Sequence, residues 1–154
     1  MLSTYATLFS QISTDIVAVW GVTSTEIYFG RPLQPKTTYP FSVVELVDSG
    51  VQRVRSGVRA RAEEYTFEIM GAFAWPASTS GGLLALQLAK AKLLGDRLTP
   101  SVTEAAGVIA SPSAYAGIGR GMFVPQVQCP PAEQGDAFYT VIVTFTVTVD
   151  AGTE

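Results

Sequence analysis

Residues Phe138 to Asp150 read FYTVIVTFTVTVD. The odd positions Tyr139, Val141, Val143, Phe145, Val147 and Val149 are all apolar, and Thr140, Thr144, Thr146 and Thr148 hold the even ones, with Ile142 between them. A period of two built from β-branched and aromatic residues predicts a β-strand with one apolar face. At ~3.3 Å of rise per residue such a strand spans about 40 Å, well beyond the usual five or six residues or so. That length needs partners. The threonine face is dry enough to be covered and polar enough to be wet, which leaves open whether another subunit lies against it.

The strand sits in a chain of 154 residues, the size of one domain, which can bury roughly two-thirds of its unfolded surface without a covalent staple. Charged residues make up 15%, against about 25% in an average soluble domain, while 47% are hydrophobic. A surface short of charge points to an assembly, and so to a homo-oligomer. The net charge of −3 gives no global basic excess of the kind a free nucleic-acid binder shows. Cys129 is the only cysteine, so there is no intramolecular disulfide. No apolar run is long enough to span a membrane, and MLSTYATLF lacks the basic start and apolar core of a secretion signal, so a cytoplasmic origin is expected.

The elements that flank the strand follow from periodicity. Leu2, Tyr5, Phe9, Ile12, Ile16 and Trp20 recur at spacings of three and four, as along one side of a helix. Ser13, Thr14 and Asp15 favour caps over helix interiors, so one helix or two with a joint near Thr14 fit equally, and Gly21 ends either. Glu26 to Phe29 is a short extended piece, and the three prolines of GRPLQPKTTYP make 30–40 a surface connection. Phe41 to Asp48 and Glu63 to Phe73 are strands expected to pair antiparallel, joined by a long Arg-rich loop or hairpin arm at 49–62. LLALQLAKAKLLGDRL predicts a helix over 83–98 with Leu84, Leu88, Ala91 and Leu94 on its apolar face, Gln87 and Lys90 opposite, and Gly95 and Pro100 signalling its end. This helix should pack on the apolar face of 138–150. In the Gly/Pro-rich segment 111–131, Met122 to Cys129 is a strand that Pro125 confines to an edge or a bulge. The whole predicts one α+β domain: a mostly antiparallel sheet with long hairpins and helices packed on one face.

No histidine occurs, which removes His-based triads, His-ligated metals and the commonest neutral-pH general base. Cys129 has no histidine or second cysteine to activate it and reads as a core or partly buried thiol. Glu63, Glu64 and Glu68 form the one acidic cluster; Glu64 and Glu68 share a strand face, and a solvated face is the simplest reading. GIGRG at Gly117 to Gly121 lacks the Lys-Ser/Thr of a phosphate loop and reads as a flexible loop. Arg53, Arg55, Arg59 and Arg61 alternate with Val or small residues. They fit a solvated tip, a contact with carboxylates of a neighbouring subunit, or a lining near passing DNA, which needs charge but no sequence readout.

The order of these elements resembles the tail terminator, or tail completion, proteins of long-tailed (siphovirus- or myovirus-like) bacteriophages. The residues that carry the resemblance are the amphipathic start Tyr5 to Trp20, then IYFGRPLQPKTTYPFSVVEL, the second strand Glu64 to Phe73, the Ala/Leu/Lys helix Leu83 to Leu98 and the final hairpin into the Val/Thr strand. The Arg-rich insertion after Asp48 and the Gly/Pro segment near Ala114 depart from it. The resemblance implies a ring, usually a hexamer, at the head-proximal end of the tail of a virion. There it ends polymerisation of the tail tube protein and docks onto the head-tail connector or stopper, with no enzyme activity and no cofactor. It makes Arg53, Arg55, Arg59, Arg61, Thr140, Thr144, Thr146 and Thr148 candidates for a protein interface or for the wall of a DNA channel. A head-completion protein, a tail-tube subunit and a small ligand-binding or enzymatic α+β domain are the rival expectations.

Overall fold

A computed structural model describes residues 2–34, 38–53, 60–76, 82–99, 101–103, 108–110, 119–122, 125–131 and 138–153, with backbone alone at 2–5, 48–53, 60–64, 101–103, 108–110, 119–122 and 148–153. In chain order the elements are helix α1 (Leu2–Trp20), a 3₁₀ turn (Ser24–Glu26), β1 (Ile27–Phe29), β2 (Phe41–Arg53), β3 (Ala60–Ala74), α2 (Leu84–Leu98), β4 (Ser101–Thr103), β5 (Val108–Ala110), β6 (Gly119–Met122), β7 (Gln126–Gln128) and β8 (Phe138–Thr153). The fold is α+β, a mixed sheet with two helices, and strands run β1-β2-β3-β8-β6, with β7 also on the outer edge of β8. Only β1 is parallel to its neighbour, β2; the other pairs of this sheet are antiparallel. Separately, β4 and β5 pair with each other.

The Val/Thr stretch is the strand it was expected to be, and it lies inside the sheet. Its inner edge pairs with β3 from Ala74↔Phe138 to Ala60↔Thr153, and its outer edge takes β7 at 142–144 and β6 at 147–149. Pro125 falls between those two short strands, where its missing N–H removes no ladder bond. Gly119 to Met122 belong to β6, so part of the glycine-rich stretch read as a flexible loop is edge strand; the backbone of β8 recruits it without any demand on its side chains.

One face of the sheet makes the main core. Tyr139, Val141, Val143, Phe145 and Val147 of β8, with Phe67, Ile69 and Phe73 of β3 and Val44 of β2, pack against Leu8, Ile12, Ile16 and Trp20 of α1 and Ala91, Leu94 and Leu98 of α2. Each fully buried Leu, Ile or Phe contributes about 1.5–3 kcal/mol relative to leaving it in water, which fixes this face as the inside. The rings of Phe67 and Phe145 stack at 5.7 Å and those of Phe73 and Tyr139 at 5.5 Å, both across the β3–β8 ladder.

α1 is one helix without a joint. The Thr14 hydroxyl donates to the carbonyl of Ser10 at 2.9 Å, a bond a helix interior accommodates, and Asp15 is buried as the acceptor of Arg97 Nε from α2 at 2.6 Å and of Gln11 Nε2 at 3.3 Å. Of the polar residues that suggested a break, Asp15 therefore clasps the two helices together. Gly21 ends α1 at φ +66° with its N–H on the Val17 carbonyl, a left-handed cap that glycine adopts without a Cβ penalty.

α2 packs on the expected sheet face but presents a different side. Gln87, Ala91, Leu94, Gly95 and Leu98 are buried, whereas Leu84 is 61% and Leu88 47% exposed. The helix is rotated toward Gln87 because that amide has work at the sheet: its Nε2 donates to the carbonyls of Pro130 at 2.7 Å and Thr140 at 3.0 Å. β7 pairs no further than Gln128↔Ile142, so the outer edge of β8 at Thr140 has no strand beside it among the described residues, and Gln87 caps it. Gly95 does not stop the helix; it is buried within α2, where a Cβ would make an ordinary contact with Val127 at 3.6 Å. Lys90, placed opposite the core by spacing, holds its ammonium 5.0 Å above the Phe73 ring, and its carbonyl accepts the Trp20 indole N–H at 2.8 Å.

Candidate functional site

The other face of the same strands carries Phe41, Val43 and Glu45 of β2, Thr66, Glu68, Met70 and Ala72 of β3, and Phe138, Thr140, Thr144 and Thr146 of β8. No helix packs on it among the described residues. At its Phe138 end Phe41, Val43 and Ala72 are buried beneath Tyr28, Tyr39, Met70 and Phe138. Tyr39 stacks on Phe138 at 5.0 Å and lies tilted against Phe41 at 5.6 Å, bringing the entry of β2 over the start of β8. This second, smaller core arises because Phe41↔Ala72 and Ala72↔Thr140 place an aromatic beside small residues, leaving room for rings to lie across the strands.

Thr140, Thr144 and Thr146 are half-buried on this face, opposite Ala72, Glu68 and Thr66 respectively. The hydroxyls of Thr66 and Thr146 lie 2.9 Å apart, a cross-strand hydrogen bond that leaves the row polar but satisfied. Thr148 falls on the same face by alternation along β8 and pairs with Glu64; only its backbone is described.

The connection Gly30–Gln34 overhangs these strands. Arg31, Pro32, Leu33 and Gln34 on one side, and Phe41, Val43, Glu45, Glu68, Met70 and Phe138 below, enclose an open groove of about 580 Å³. Its floor is apolar. Glu45 and Glu68 stand directly opposite each other across the β2–β3 ladder, a like-charge pairing that costs stability unless a cation relieves it. Arg31 Nε reaches Glu45 at 3.2 Å from a largely solvated position, and Glu68 meets no cation among the described residues. Leu33 is fully exposed at the rim.

The strand positions Arg53 and Arg61 lie further along β2 and β3, away from this groove. β2 and β3 stay paired, past a register shift between Leu46 and Asp48, as far as Arg53↔Arg61, so those two positions are partners across the ladder; Arg55 and Arg59 lie outside the described residues. The sequence brought the threonine row to this face but missed the groove, because Gly30 to Pro40 was read as a plain connection. The signal was there in Tyr28, Tyr39 and Phe41, three aromatics around a proline-rich turn whose rings need a surface to cover.

For chemistry, Cys129 is half-buried and burial pushes its thiol above the usual value, the reverse of an activated nucleophile. Among the described residues no group of three or more His, Cys, Asp or Glu gathers as metal ligands would. No helix of the described residues is long and apolar enough to cross a membrane. Compared with protein-family models and with curated proteins, the chain matches none.

Proposed function

We propose that this chain is a structural subunit of a homo-oligomeric ring, usually a hexamer in the proteins it resembles, at the head-proximal end of a bacteriophage tail. The observation that carries the ring is the two-sided sheet: helices serve one face, while the other keeps an apolar groove, an aromatic cluster and a threonine row with no covering helix among the described residues. Exposed Leu84, Leu88 and Leu93 on the outer side of α2 add apolar surface that an assembly would use. Support for the phage setting comes from the order of elements, an amphipathic helix, a short strand, a Gly-Arg-Pro turn, two antiparallel strands, a second helix and the Val/Thr strand. In that role the protein is no enzyme, has no cofactor, contacts the tail tube protein on one side and the connector or stopper on the other, and resides in the virion neck. The Arg53 to Arg61 segment would meet a neighbouring subunit or passing DNA. Light scattering on the purified chain, alone and with tail tube protein, tests this. A closed multimer in either setting supports it, and a monomer in both contradicts it.

The groove also favours a second reading, a small-ligand site, since its volume and its apolar lining with few charges fall in the range such sites occupy. A small molecule retained through native mass spectrometry would favour that reading over the ring.

A further inference from the structure

The groove beneath Gly30–Gln34 is polarised along its length. Phe41, Val43 and Glu45 take every second position of β2, with Ala72, Met70 and Glu68 opposite them on β3. A carboxylate pair therefore stands at one end of the groove, and the Phe41 ring, with Phe138 beside it at 6.5 Å, at the other. Four residues of strand separate the two ends, about 13 Å at ~3.3 Å per residue. Glu45 and Glu68 are direct ladder partners, so their Cβ atoms lie about 5 Å apart and one cation can serve both. The one cation among the lining residues, Arg31, holds Glu45 from a position 87% exposed, where an ion pair contributes little, and the lining keeps one carboxylate in excess.

This pattern selects a ligand. An anion would meet the excess negative charge. A purely apolar molecule would take water from Glu68 and give it no partner in return, which costs binding energy. Among the described residues no third acidic, His or Cys side chain joins the pair to hold a metal ion. We propose that the groove binds a small organic cation, a primary ammonium on an apolar body with an aromatic end. The ammonium sits between Glu45 and Glu68, where its three N–H donors serve both carboxylates and offset their repulsion across the ladder. The body lies over Val43 and Met70 and reaches Phe41 and Phe138. The inference rests on the small-ligand reading of the groove and names the class of ligand.

Three probes of one shape test it: 4-phenylbutylamine, which is cationic at pH 7, its neutral counterpart 4-phenylbutanol and the anion 4-phenylbutanoate, each titrated calorimetrically into the whole chain. The amine should bind about tenfold or more tighter than the alcohol, and the acid more weakly than either. Glu68→Gln should erase the amine's advantage while leaving the alcohol's affinity as it was. That variant removes a like-charge pairing, so its fold is not at risk, and its thermal midpoint checks this. If the alcohol or the acid binds as tightly as the amine, or Glu68→Gln leaves the amine's advantage intact, the ammonium seat is wrong while the small-ligand reading stands. If none of the three binds, both are overturned, and a loss of self-association in Glu68→Gln would then give the groove to a second copy of the chain.

Discussion

Gly71 sets the approach of α1 to the sheet. A Cβ there would lie 2.7 Å from Cζ3 of Trp20 and 2.8 Å from the Phe73 ring, and Trp20 cannot retreat without losing its hydrogen bond to Lys90. Gly71→Ala should therefore cost about 1–3 kcal/mol, the usual penalty of overpacking, read as a fall in thermal midpoint. A melting curve equal to the parent's would show that the Trp20 ring moves freely. Tyr139 makes a second case. Burial raises its phenol above the usual value of about 10, so the folded chain holds that proton more tightly than the unfolded one. Its contribution is thus complete below about pH 10 and is lost as pH climbs through the raised value. Tyr139→Phe should flatten the alkaline decline in denaturant midpoint while changing it little at pH 7. At this scale sequence reading has least purchase: Gly71 looked like an ordinary strand residue, and nothing in its neighbours along the chain shows that Trp20, fifty-one positions earlier, needs its space.

At the scale of elements, α2 shows where periodicity succeeds and where it stops. Leu84, Leu88, Ala91 and Leu94 make a plausible apolar line, and Gln87, Ala91, Leu94 and Leu98 make another beside it; the second is buried because a glutamine can cap the open edge of β8 and a leucine cannot. Gln87→Ala should cost about 1–3 kcal/mol by leaving the Pro130 and Thr140 carbonyls unpaired, whereas Leu88→Gln should move stability by no more than about 0.5 kcal/mol. Equal effects in chemical denaturation would contradict this placement. The strands were easier to read, since the alternation of 138–150 and of Tyr65, Phe67 and Ile69 is driven by the buried face itself. What alternation could not give is the parallel edge strand β1 or the extent of pairing beyond Asp48, because backbone ladders leave little trace in side-chain pattern.

For the whole molecule, the α+β class and the packing of α2 against the final strand were legible from the order and period of elements. The groove was not, since it depends on the register Glu45↔Glu68 and on where Gly30–Gln34 folds back, neither of which is local. If the Arg53 to Arg61 segment serves assembly and not the fold, changing Arg53, Arg55, Arg59 and Arg61 together to Gln should leave stability within about 0.5 kcal/mol while impairing assembly. Unchanged assembly of that variant would leave the cluster merely solvated. On the function proposed above, this 16.4-kDa chain completes itself only with copies of itself. Its most direct test is the mass of the particle it forms, taken by native mass spectrometry alone and in the presence of tail tube protein. The expected result is a closed multimer, six copies by resemblance, in at least one of the two settings; a single chain's mass in both would contradict it.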